Sequence, residues 1–132
     1  MNILKGTIEK LTISGSLTLI GIKVDTIDMS AIVIDTPKTA PYLKIGNTIT
    51  VVFKETEVII GKGNTDEISL RNKFKGTIEI LESKELLSKL TINTNVGKIS
   101  SIITTNAVKQ LKLELGTAVT AMVKTNEILI SE

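Results

Sequence analysis

Three features of the sequence predict a mainly β protein of two tandem OB-like small β-barrels, each with one short helix. The first is an internal repeat: Lys5-Gly6-Thr7-Ile8-Glu9 recurs as Lys75-Gly76-Thr77-Ile78-Glu79. At the same offset Asn2 falls on Asn72, Ser30 and Ile32 on Ser100 and Ile102, and Leu43 and Gly46 on Leu113 and Gly116. Lys54, Glu57 and Ile60 likewise fall on Lys124, Glu127 and Ile130, with no gap needed. A constant offset along the whole chain is the mark of tandem duplication. The second feature is a run of short segments rich in Ile, Val, Leu and Thr, broken by Gly or polar residues. The third is the size of each unit, which holds five such segments and one helical pattern, the inventory of a small closed barrel.

The elements follow in order. In the first unit, "KGTIEKLTIS", "SLTLIGIKV", "MSAIVI", "NTITVVFK" and "EVII" read as strands. Within "LTLIGIKV" the apolar phase passes from Leu17 and Leu19 to Ile20, Ile22 and Val24, which predicts a bulge or a strand buried on both faces. A short helix is expected before Leu43-x-x-Gly46, capped near Asp35 or Thr36 with Pro37 in its first turn. In the second unit the equivalent helix starts near Thr104–Asn106 and runs through "AVKQLKL" to Gly116. The organisation expected is one repeat over residues 1–62, a Gly- and Asn-rich linker over 63–68, and a second repeat over 69–132. Units this small fold with difficulty alone, so pairing of the two units and burial of strand edges between subunits are both expected.

Composition removes whole classes of function. The 132 residues contain no cysteine and no histidine, which excludes disulfides, thiolate chemistry, the commonest general base and the commonest transition-metal ligand. No Gly-x-Ser-x-Gly or Ser-x-x-Lys pattern is present, and no carboxylate cluster has the spacing of a cation site, so neither an enzyme nor a direct metal ligand set is expected. "GKGN" at residues 61–64 lacks the Gly-Lys-Ser/Thr ending of a phosphate loop. The longest apolar run is too short to span a bilayer, and "MNILKGTIEK" has no signal-peptide layout, so the expectation is a cytoplasmic protein without a membrane partner. Single-stranded nucleic acid is a natural partner for an OB-like barrel, but Phe53, Phe74 and Tyr42 are too few to form stacking platforms, and no nucleic-acid partner is expected.

What remains is anion binding by neutral donors and isolated cations. Ser69, Arg71 and Asn72 form a compact donor set, and Lys124 and Thr125 lie at a strand end. Thr104, Thr105 and Asn106 mark a helix N-terminus, where backbone N–H groups favour negative charge. Each piece also has a plain structural use. Thr forms strands and caps helices, Lys faces solvent, and Ser-x-Arg-Asn makes a turn.

"SLRNKFKGTIE", from Ser69 to Glu79, resembles the Ser-Ala-Arg-Asn-x-x-x-Gly start of the Mop domain, the molybdate-binding unit of molbindins. The likeness continues through "GKISSIITTNAVKQLKLELGTAVTAMVKTNEILI", and the first unit follows the same pattern from Lys5 onward. The resemblance implies a homo-oligomer, a trimer of two-repeat chains, that binds molybdate or tungstate between neighbouring subunits without an organic cofactor. It implies as ligands Ser69, Arg71, Lys124 and the backbone N–H of Thr125. The role implied is intracellular storage or homeostasis of the oxyanion. An alternative is a sensing module that acts on a partner protein.

The departures from the family pattern are specific. Leu70 replaces an Ala, and Ala107 replaces the helix Ser, leaving Thr104, Thr105 or Asn106 as substitutes. In the first unit Met1 stands at the Arg position, Asp35 at that of Thr105, and Pro37 within the helix start. A carboxylate repels a dianion, which predicts a weak or absent pocket in that unit; the alternative is that Asp35 is simply a cap. Lys54 is retained and is a candidate for another interface pocket.

Overall fold

A computed structural model describes all of residues 1–132. The first half supplies β1 (Asn2–Ser14), β2 (Leu17–Val24), β3 (Ile27–Val33), β4 (Thr48–Phe53) and β5 (Ile59–Gly61). The second supplies β6 (Asn72–Ser83), β7 (Leu87–Thr94), β8 (Gly97–Thr104), a helix α1 (Thr105–Gln110), β9 (Ala118–Val123) and β10 (Leu129–Ser131). Single 3-10 turns, Glu55–Glu57 and Thr125–Glu127, precede β5 and β10. The chain is mainly β, as the sequence predicts.

The strands form two five-stranded sheets, ordered β10-β4-β1-β2-β3 and β5-β9-β6-β7-β8. The last strand of each half therefore completes the sheet of the other. In β10, Ile130 lies opposite Val51, and in β5, Ile60 lies opposite Ala121, both antiparallel. Each exchange covers a strand edge that would otherwise present unpaired N–H and C=O groups.

The repeated "KGTIE" begins the long first strand of each sheet and carries two structural devices. One is the glycine: a Cβ at Gly76 would lie 2.2 Å from the Asn93 carbonyl oxygen, and one at Gly6 would lie 2.6 Å from Ile22 Cγ2. Only glycine lets the neighbouring strand approach so closely. The other is a bulge. Ile8 pairs with Ile22 and Lys10 with Gly21, leaving Glu9 as the extra residue, and Glu79 is its counterpart in β6. The extra residue re-aims the strand. Asn2, Leu4 and Ile8 are buried before it, and Leu11 is the half-buried position after it.

Three expectations are corrected, the first being that α1 ends at Gln110 and does not run on to Gly116. Strand β2 has one buried face, made by Thr18, Ile20, Ile22 and Val24, while Leu17 and Leu19 are exposed; the bulge lies in its partner β1. The expected helix of the first half is also missing, and the segment after Asp35 makes only a turn, with the Ala40 N–H donating to the Thr36 carbonyl at 2.8 Å. In the second half, the Leu111 N–H closes α1 onto the Ala107 carbonyl at 3.0 Å. The equivalent residue is Pro41, which has no N–H to give and disfavours helical backbone at Ala40.

One continuous core of 25 buried residues spans both halves. Its centre holds Phe53 of β4 and Phe74 of β6, both essentially inaccessible to solvent. The segment between β5 and β6 lies along the second sheet. Lys73 Nζ donates to the Thr65 carbonyl, Thr65 Oγ1 to Thr120 Oγ1 and Lys62 Nζ to the Leu111 carbonyl, at 2.6, 3.2 and 2.9 Å.

Candidate functional site

The β6–β9 ladder opens with Asn72 opposite Val123. One residue beyond that pair, Arg71 and Lys124 project from adjoining strand ends, and both are exposed. Leu70, 9% exposed, anchors the approach to β6, so the unusual residue of the segment serves as a packing side chain. Ser69 on its other side is exposed. Lys124 has extended backbone, with φ −71° and ψ 149°, and leads into the turn Thr125–Glu127.

The three ion pairs of the structure are Met1–Glu55, Lys23–Asp28 and Lys98–Glu79. Neither Arg71 nor Lys124 takes part in one. The Arg71 guanidinium instead donates through Nη2 to the Ile68 carbonyl at 2.8 Å, which curls the preceding segment back on it and leaves its other N–H groups free. Two cations at adjoining strand ends, neither held in an ion pair, form a place where an added anion gains Coulomb energy from both.

The other predicted residues are placed differently. Asn72 is fully buried, and both ends of its amide are engaged by Ser30, so it offers nothing to solvent. Thr104 is the N-cap of α1, its Oγ1 accepting from the Ala107 N–H at 3.1 Å. Thr105 is buried at 8% exposure; its hydroxyl donates to the Lys84 carbonyl at 2.7 Å and meets Ser88 Oγ at 2.9 Å. Asn106 is exposed. These three lie where β8 pairs with the start of β7, beside the C-terminal end of β6, whereas Arg71 lies at its N-terminal end. Within one chain the structure brings Ser69, Arg71, Lys124 and Thr125 to one strand end and leaves Thr104–Asn106 at the other.

The matching place in the first half has different chemistry. Met1 stands opposite Lys54, and Glu55 occupies the position of Thr125. The Glu55 carboxylate binds the α-ammonium of Met1 at 2.7 Å, and this hydrogen bond is the main cause holding its carboxyl below the usual carboxylate range. Lys54 itself lines a cleft of about 150 Å³ with Glu57, Asn126, Glu127 and Leu129. Two carboxylates share that cleft with the one lysine. The Asp35 carboxylate accepts the Thr39 hydroxyl at 3.0 Å and caps no helix, since none forms there.

Residues 68–130 match the TOBE domain model. That stretch, a little under half of the chain, is similar to a TOBE domain. It contains the whole Ser69-Leu70-Arg71-Asn72 segment together with Lys124 and Thr125, whereas β5, which completes its sheet, lies outside it. The chain is also similar to the molybdenum-pterin-binding protein MopB of Rhodobacter capsulatus, at 25% identity over 108 residues. That alignment takes in 79% of this chain and 39% of MopB, so the chain spans about two fifths of the length of that relative. Its fold matches that of the cytoplasmic molybdate-binding protein ModG, in a crystal form with molybdate bound, at a TM-score of 0.91 and 23% identity. The match covers 98% of this chain and 94% of that one, so the likeness in fold extends beyond residues 68–130 to the first half as well. No helix of the structure is long and apolar enough to cross a membrane, and no group of His, Cys, Asp and Glu side chains is arranged to hold a metal ion.

The role of Asn2 and Asn72 escapes a reading by residue class, in which a polar residue beside Arg counts as a donor. A signal for it exists in the pattern. Asn2, Leu4 and Ile8, like Asn72, Phe74 and Ile78, are spaced by even numbers of residues, which puts both asparagines on the inward face of their strands.

Proposed function

We propose that this protein binds molybdate or tungstate without catalysing a reaction, as an intracellular store or buffer of the oxyanion. Its two OB-like barrels would act as one frame, and the sites would lie between copies of a homotrimer. The observation that carries this reading is the pair Arg71 and Lys124, adjacent and exposed at the ends of β6 and β9, with no carboxylate partner. The similarity to MopB and ModG supports the choice of anion. The placement of Thr104 and Asn106, the exposed residues of that helix start, supports the interface: a chain that carries donors at opposite ends of β6 surrounds an anion only when a second copy brings the other set.

A tetrahedral dianion has four acceptor oxygens and no donor. Arg71, Lys124 and the Thr125 N–H are donors only and Ser69 Oγ is the one group of the set able to accept, which disfavours protonated phosphate because its hydroxyl needs an acceptor. Sulfate is smaller, so a rigid pocket sized for molybdate leaves some donors out of its reach. Four or five charge-assisted hydrogen bonds contribute about 6–15 kcal/mol before an association cost of at least about 4 kcal/mol, which accommodates micromolar affinity.

Isothermal titration with sodium molybdate, sulfate and phosphate tests the reading on wild type and Arg71→Ala. Molybdate binding that is weak for the other two anions and lost in the variant supports it. An intact protein that takes up none of the three overturns it. A second reading, a sensing module acting on a partner, draws on one fact: the MopB alignment covers only 39% of a longer protein. Recovery of a specific protein partner from lysate only when molybdate is present would favour that reading.

A further inference from the structure

Asn2 and Asn72 occupy equivalent places in the two halves, and each clamps one residue of the other half. Asn72 Oδ1 accepts the Ser30 N–H at 2.7 Å while its Nδ2 donates to the Ser30 carbonyl at 2.9 Å. Asn2 does the same with Ser100, at 2.7 and 2.9 Å. Ser30 lies in β3 and Ser100 in β8, the outermost strands of their sheets. A strand residue whose N–H and C=O both point away from its neighbour is an open edge position, and the carboxamide closes it as the peptide group of another strand would. Both asparagines are buried, at 5% and 0% exposure, so the pairs are shielded from competing water.

The two clamps are alike, but what precedes them differs. Asn72 follows Arg71, whereas Asn2 follows Met1. We propose that Asn72 is a positioning residue for the anion site: by fixing the first residue of β6 against β3 of the other half, it holds Ser69 and Arg71 in register with Lys124. The first half then has a task in binding even where it lacks the ligands itself, because its Ser30 is the anchor for the Arg71 strand. The inference rests on the oxyanion reading above and explains why Asn72 belongs to the donor segment while its side chain faces away from solvent.

The near-symmetry supplies an internal control. Asn72→Ala and Asn2→Ala each remove one buried clamp of the same geometry, so a purely structural role lowers thermal stability and affects affinity alike in both. Titration with sodium molybdate, at a temperature where both variants are folded by circular dichroism and have the wild-type oligomeric mass, separates the two roles. The expected result is a loss of affinity of about tenfold or more for N72A, the order of one charge-assisted hydrogen bond, with N2A within about twofold of wild type. Ser30→Pro serves as a second variant, since it removes the anchoring N–H from an edge position without touching the Arg71 strand; it should weaken molybdate binding as N72A does. Equal affinities for N72A and wild type, equal losses in N72A and N2A, or loss of folding in both N72A and S30P would overturn the inference. A wild type that binds no molybdate at all would overturn the oxyanion reading first.

Discussion

Phe53 and Phe74 stack across the middle of the molecule, with ring centroids 6.1 Å apart and planes 8° from parallel. They belong to different halves and to different sheets. Each ring is also part of the core that contains Leu4, Ile8, Ile78 and Ile92. The stack, the exchanged strands β5 and β10 and the two asparagine clamps all cross the same boundary, which predicts that the two halves unfold together.

Phe74→Ala is therefore expected to destabilise the entire chain, by about 3–5 kcal/mol for a fully buried aromatic ring. Unfolding in urea, followed by far-ultraviolet circular dichroism and by hydrogen exchange in β1 and β6 separately, checks this. One shared transition shifted to lower urea is the expected outcome. A β1 that keeps its wild-type protection while β6 loses its own would show that the halves fold independently.

The glycines of the repeated pentapeptide should differ in how they tolerate a side chain. At Gly76 an added Cβ meets a backbone carbonyl at 2.2 Å, and β7 must move to admit it. At Gly6 the nearest atom, at 2.6 Å, is a side-chain methyl of Ile22 that can shift, although Lys23 O lies at 3.0 Å. Gly76→Ala is expected to cost about 3 kcal/mol, the upper end of overpacking, and Gly6→Ala about 1–2 kcal/mol. Denaturation midpoints of the two variants under one condition test the order, and a Gly6→Ala that is the more damaging would contradict it.

Much of this architecture is legible in the sequence because it rests on local pattern. Alternating Ile, Val and Leu mark the first four strands of each half, and the constant offset between "KGTIE" copies reveals that the halves are built alike. The partner of the last strand is not legible. Ile59-Ile60-Gly61 and Leu129-Ile130-Ser131 have the same alternation whether they close their own sheet or the other one, and only the tertiary structure decides. The lost helix was hidden for a different reason. Pro37 is welcome in a first helical turn, but Pro41 removes the N–H that closes the last one. In the candidate site, Arg71 and Lys124 are legible as cations near strand ends, and their adjacency follows from the β6–β9 register alone. Asn72 is the instructive case, because residue type marks it as a donor to ligands while its strand parity marks it as buried.

The two equivalent lysines should differ in anion binding despite their shared place in the repeat. Lys124 stands beside Arg71, and neither residue is paired with a carboxylate. Lys54 shares its cleft with Glu57 and Glu127, and the neighbouring Glu55 binds the α-ammonium of Met1. Each lysine has a glutamate in the turn that follows it, Glu57 after Lys54 and Glu127 after Lys124. A dianion approaching Lys54 also meets Glu55, whereas near Lys124 the Arg71 charge adds to the attraction. Lys124→Ala is expected to weaken molybdate binding by about ten- to a hundredfold, the range of one charge-assisted hydrogen bond. Lys54→Ala should change it by no more than about twofold. Titrations of both variants at fixed ionic strength decide the matter, since exposed charges are screened by salt. Equal losses in the two would mean that both halves hold the anion alike, and that the carboxylates around Lys54 do not keep it out.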